Sequence, residues 1–209
     1  MFIPRQPVVD NQFCEYTTTS GTAGIGGTIA DAGAVVYLTD SFNAEVKVFD
    51  DTLSADKPAF GFLMQKVKMG YHQLHPAGYM LPGDLGSSDV IAQPKFSGTS
   101  VVGTQKAPVG VAHNGGIFDT THYTSYDGSA YQDIKAGDIM NVTYNMDGKI
   151  TNFATSGSDA DHKVHPNAMA PSIGSSNGVA LVIEGVSAAR AQSTAAGQTL
   201  YPIKIKLLI

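Results

Sequence analysis

Histidine is the residue whose spacing first invites a chemical reading. Four of the six histidines occur as two H-x-x-H pairs, His72 with His75 and His162 with His165. On a helix, residues three apart share a face and could both reach one zinc ion. Both pairs instead sit among Gly, Pro and Asp, where loop is expected. In extended chain an odd offset turns the two rings to opposite sides. Pro166 also biases His165 away from helix. Asp159 and Asp161 lie close to His162 but complete no ligand set, and the segment lacks the glycine turn and final Glu of a calcium loop. The four histidines are weak metal candidates, for which surface or interface positions are the plainer account. No metal and no cofactor is expected.

Nucleophilic and phosphate chemistry find no better footing. Gly98-Thr99-Ser100 makes no G-x-S-x-G elbow. The glycines between Gly21 and Gly27 fit neither a dinucleotide fingerprint nor a P-loop, which ends in Gly-Lys-Ser/Thr. They suit a hinge. Acidic residues are scattered singly, with no spacing that marks a glycosidase pair. Asn141-Val142-Thr143 is a glycosylation sequon only in a secreted chain. The expectation is a protein that is not an enzyme. Contact residues are better represented: Tyr71, Tyr79, Tyr123 and Tyr126 fall in or beside loop-rich stretches. A tyrosine offers apolar area and a polar tip, which suits protein or sugar contact.

The whole chain frames these residues. It has 209 residues, 13 Lys plus Arg against 18 Asp plus Glu, and a formal charge of −5. Nucleic acid and anionic membranes attract the opposite sign, so neither is expected as a partner. Charged residues make up 15% and hydrophobic ones 43%, which fits a folded domain with a neutral, Gly-, Ser- and Thr-rich surface. Such a surface leans towards β structure. Cys14 is the single cysteine, so no intrachain disulfide is possible and a small semi-buried residue is expected. Met1–Pro7 lacks the basic and apolar regions of a secretory signal, and no apolar run is long enough to span a bilayer. Synthesis in a cytosol is expected.

Period-2 patterning dominates after the first two dozen residues. Residues 1–24 carry Pro4, Pro7 and a Thr/Ser run, which reads as an extended N-terminal arm. Residues 25–209 are expected as one β domain. Strands are expected at 34–40, 44–50, 59–68, 108–114, 117–123, 179–185 and 201–209. Between 138 and 153, two alternating runs flank Asp147-Gly148, the signature of a hairpin turn. Residues 69–100 are expected to be a long irregular insertion. Helix former residues concentrate only at 186–197. About ten short strands with little helix point to a compact β-barrel or β-sandwich-like domain. Two internal echoes stand out. Ile29-Ala30-Asp31-Ala32-Gly33 resembles Asp133-Ile134-Lys135-Ala136-Gly137, and Lys57-Pro58-Ala59-Phe60-Gly61 resembles Lys106-Ala107-Pro108-Val109-Gly110. Both fit ordinary strand-entry turns or a pseudo-duplicated β unit.

The arm, the segments Ala32–Leu38, Lys57–Met64, Ala107–Phe118 and Ile134–Thr143, and the following Asp147–Thr151 hairpin resemble a known family. It is that of the capsid decoration proteins of tailed bacteriophages, also called head-stabilisation or cement proteins. The resemblance implies a non-catalytic clamp on the capsid exterior, bound to the major capsid protein. It also implies a homo-oligomer, with a trimer favoured. Carried over, residues Phe2, Ile3, Val8, Val9, Phe13 and Tyr16 would be the apolar anchors of the arm. They could add a strand to a capsid sheet edge. Deleting residues 2–20 would then remove binding and leave the barrel folded. A tail, neck or baseplate component is the nearest alternative, and a carbohydrate-binding adhesin using the loop tyrosines is another.

Overall fold

The computed structural model describes residues 2–5, 10–19, 28–39, 42–49, 57–69, 90–97, 100–127, 129–143, 148–152, 178–195 and 201–209. Strand dominates them, and the fold is all-β. In chain order the strands are β1 (Phe2–Pro4), β2 (Asp10–Thr19), β3 (Thr28–Ala30), β4 (Val35–Leu38), β5 (Glu45–Val48), β6 (Gly61–Leu63) and β7 (Val67–Met69). They continue as β8 (Val90–Ser97), β9 (Ser100–His113), β10 (Ile117–Thr120), β11 (Ile139–Val142), β12 (Ile150–Thr151), β13 (Ala180–Glu184) and β14 (Ile203–Leu207). One helix, α1 (Ala188–Ala195), falls inside the segment where helix was expected.

Five strands close into a barrel in the order β2-β5-β4-β6-β9, because β9 pairs back onto β2. The closing ladders differ in character. β2 runs antiparallel to β9 from Asp10 opposite His113 to Thr19 opposite Thr104, but parallel to β5 at Glu15 and Tyr16. Alternation decides what fills the barrel. Cys14 and Tyr16, Val36, Val46, Leu63, and Ala107, Val109 and Val111 form one buried cluster from its strands. The intervening residues Val35, Tyr37, Phe62 and Ala112 face outward into a second cluster. There they meet Phe118, Met140, Val142, Ile150, Val182, Ile203, Ile205 and Leu207 from the sheet β1-β10-β14-β13-β11-β12. Each fully buried large apolar side chain contributes roughly 1.5–3 kcal/mol. The two sheets therefore share one continuous apolar mass.

The second sheet repeats the plan of the first. The described pairings at Ala30–Thr39 and Glu45–Val46 recur at Ile134–Thr143 and Lys149–Ile150 with the same spacing. Ala34 N–H donates to Asp31 C=O, as Asp138 does to Lys135; Gly33 donates to Leu63 C=O, as Gly137 does to Val182. Thr39 N–H donates to Glu45 C=O at 2.9 Å, and Thr143 to Lys149 at 2.9 Å. Gly33 and Gly137 have φ of 93° and 94°, the conformation that position of the turn requires. β4 sits between β5 and β6 as β11 sits between β12 and β13, all antiparallel. β6 then pairs with β9, and β13 with β14. Ala30 opposite Val67 matches Ile134 opposite Val186. The parallel closure recurs too: Tyr16 beside Val46 in one unit, Tyr123 beside Ile150 in the other. The chain is a tandem of two five-stranded units.

Of the two sequence echoes, the first is thus a true equivalence. The second is not: Gly61 belongs to β6 and Gly110 to β9, which are paired neighbours in the same barrel. Three further expectations need correction. The described strands number fourteen rather than about ten, because short ladders such as β3–β7 carry no period-2 run of their own. Residues 2–4 and 10–19, expected as an arm outside the barrel, are β1 and β2, integral to the two sheets. Residues 90–97, expected to be irregular, form β8, which pairs with β9 and, in parallel, with β7.

Candidate docking surface

The six expected arm anchors separate by register. Phe2 is 8% exposed, its ring stacked 4.2 Å from Phe118 and 5.7 Å from Phe62. It plugs the junction between the two units, because β1 lies antiparallel on β10 with Phe2 opposite Thr120. Tyr16 is buried inside the barrel beside Cys14, whose thiol burial pushes up in pKa. A thiol held protonated is a poor nucleophile. Phe2 and Tyr16 are therefore core residues and not contact anchors, which corrects that part of the expectation. Val8 and Val9 lie outside the described residues. Ile3 is exposed, on the face of β1 opposite Phe2, while Arg5 pairs with the carboxylate of Asp119.

Phe13 remains, and it is 76% exposed. Its position follows from alternation: Cys14 turns into the barrel, so Phe13 turns out. Across the ladder it faces Gly110, which offers no side chain to cover it. Two residues along the same outer row, Glu15 meets Lys106 at 2.7 Å, and Lys106 also meets Glu45 at 2.6 Å. These hydrogen bonds to Glu15 and Glu45 raise the Lys106 pKa above its ordinary value. The ion pairs tie β2, β9 and β5 together across the barrel's outside. Leu38 and Phe42, at the end of β4 and in the turn leading to β5, are exposed as well. Sequence reasoning missed both. The signal for Phe42 was present, since in sequence it is flanked by the polar residues Asp40, Ser41 and Asn43.

The loop tyrosines are turned inward more than expected. Tyr123 donates its hydroxyl to the carbonyl of Tyr201 at 2.7 Å, and burial pushes its pKa up to about 12. Tyr126 and Tyr131 form a bridge, with their ring centroids 5.0 Å apart and the planes tilted by 48°. Asp127 orders the turn between them. Its carboxylate accepts from the backbone N–H groups of Ala130 and Ser129, which hold its pKa well below the usual carboxylate range. Asp133 likewise accepts from Ala188 N–H at the start of α1, which lowers its pKa. An open cavity of about 320 Å³ lies there, lined by Asp133–Ala136 and Gly185–Ser187. Two of its polar side chains, Asp133 and Ser187, accept from the backbone N–H groups of Ala188 and Arg190 at the start of the helix.

Tyr71, Tyr79, His72, His75, His162 and His165 lie outside the described residues. Among the described residues, no group of three or more His, Cys, Asp or Glu side chains is placed to hold a metal ion. None of the described helices is long and apolar enough to cross a membrane. The chain matches no known family, no curated protein and no solved structure.

Proposed function

We propose that the chain is a structural virion protein that binds the outside of a phage capsid shell and stabilises it without catalysis. Its partner would be the major capsid protein, and its working form a homo-oligomer, a trimer first. One observation carries this reading: an aromatic side chain, Phe13, stands 76% exposed on a strand of a closed barrel. A large apolar residue presented on a rigid element is the material of a binding hot spot. The exposed apolar residues of the N-terminal region that could make the contact are then Phe13 on β2 and Ile3 on β1, and not Phe2 or Tyr16.

The test is co-sedimentation with purified phage shells that lack the protein. Wild type should pellet with the shells. Phe13→Asp should lose affinity by about tenfold or more while melting like wild type, since an exposed side chain adds little to the core. Undiminished binding by Phe13→Asp would remove Phe13 from the contact. Binding by neither protein would remove the shell as partner.

A further inference from the structure

We infer that the edge of β2 at Asn11–Phe13 is a strand-acceptor slot, built to take an extended segment of another polypeptide with the chemistry of β1. The inference deepens the docking reading of Phe13 and rests on it. Its warrant is the tandem architecture, because the corresponding slot of the second unit is already filled.

The equivalence is set by ladders. In the first unit Leu63 faces Val111, which faces Gln12. In the second, Val182 faces Ile205, which faces Phe118. Gln12 therefore corresponds to Phe118, Phe13 to Asp119 and Asn11 to Ile117. On β10 that edge is occupied: Ile3 lies opposite Asp119, and Arg5 N–H donates to Ile117 C=O at 2.8 Å. On β2 the same edge receives β5 only from Glu15 onward, where Glu15 N–H donates to Ala44 C=O at 2.9 Å. Backbone groups alternate sides along a strand, so Phe13 presents its own towards the same side as Glu15. No described strand lies there. The Phe13 carbonyl instead accepts a 3.2 Å bond from the side-chain amide of its neighbour Gln12, at an exposed position.

The occupant's chemistry is read from β1. An antiparallel segment of the form aromatic-aliphatic-proline would place its aliphatic residue opposite Phe13, covering the ring. Its proline would end the edge, since it offers no N–H for further pairing. Main-chain bonds would supply affinity and the covered Phe13 the selectivity. β1 of a second copy is not that segment, because its Phe2 is already buried in its own junction.

The probe is a capped synthetic hexapeptide copying residues 2–7, Phe-Ile-Pro-Arg-Gln-Pro, titrated into the isotope-labelled full chain. Expected are saturable amide shifts at Asn11 and Phe13, and exchange of the Phe13 amide slowed about tenfold or more at saturation. Phe13→Ala should weaken binding several-fold. Three outcomes would overturn the inference: shifts centred on Ile117 and Asp119, meaning that the peptide displaces β1; no saturable shift at millimolar peptide; or self-association that protects Phe13 without peptide. No shell enters this assay, so its failure and that of the shell-binding assay are separate results.

Discussion

Deleting residues 2–20 is expected to abolish cooperative folding, not to release a folded barrel from its arm. The deletion removes β1 and β2 together. It takes Cys14 and Tyr16 out of the barrel core and Phe2 out of the junction with Phe118 and Phe62. It also removes the whole ladder from Asp10–His113 to Thr19–Thr104, leaving β9 with an open edge and the barrel one strand short. Losing the burial of Phe2 and Tyr16 alone costs about 3–6 kcal/mol at roughly 1.5–3 kcal/mol per side chain. A domain holds only about 5–15 kcal/mol in all, and the backbone pairing is lost besides. Circular dichroism should show no sigmoidal melt. A truncated chain melting within a few degrees of full length would refute the integral role of β1 and β2.

The second large effect separates two glycines that the tandem makes equivalent. Gly33→Ala and Gly137→Ala both force an alanine into a turn at φ near 93–94°, which costs each about 1–2 kcal/mol. At Gly137 nothing lies within 4 Å of an added Cβ, so the backbone cost should be the whole effect. At Gly33 that Cβ would stand 2.8 Å from Thr120 Oγ1, 3.1 Å from His122 Cβ and 3.2 Å from Phe2 Cδ2. Overpacking of this kind adds about 1–3 kcal/mol. Denaturant melts should place Gly33→Ala about 2–5 kcal/mol below wild type and Gly137→Ala only about 1–2 kcal/mol below it. Equal losses would mean that the Gly33 turn does not press on the junction between the units.

These two expectations mark where the sequence was legible and where it was not. Strands with a clean alternation were readable, because one buried face imposes period 2: Ile203, Ile205 and Leu207 all point inward, as do Met140 and Val142. The antiparallel pairing of β11 with β12 was readable, and Gly148 has a positive φ of 69°. The tight turn expected at Asp147-Gly148 is not the register found: Asn141 lies opposite Thr151 and Thr143 N–H donates to Lys149 C=O, with residues 144–147 outside the described ones. The N-terminal strands were misread for the opposite reason. β2 is polar along much of its length, Asp10-Asn11-Gln12 and Thr17-Thr18-Thr19, and its membership in the barrel rests on backbone pairing to β9. Hydropathy carries no record of that.

The tandem was half visible. Ala32-Gly33 and Ala136-Gly137 recur because the turn demands glycine, but the side chains that follow have diverged with their surroundings. Tyr37, which faces the junction core, corresponds to Asn141, and Phe62 corresponds to Leu181, both only partly buried. Equivalent backbone with different neighbours erases sequence identity while preserving hydrogen bonds. The docking surface suffered in the same way: Phe2 and Phe13 look alike in sequence, and only register sends one into the core and the other out to solvent.

The proposal that this chain coats a phage shell is tested most directly by its copy number in purified virions. The measure is quantitative mass spectrometry against the most abundant shell protein. A decoration role predicts a simple integer or fractional ratio to the shell subunit, constant from preparation to preparation. A handful of copies per particle would place the protein in a tail or neck instead, and its absence from virions would contradict the account outright.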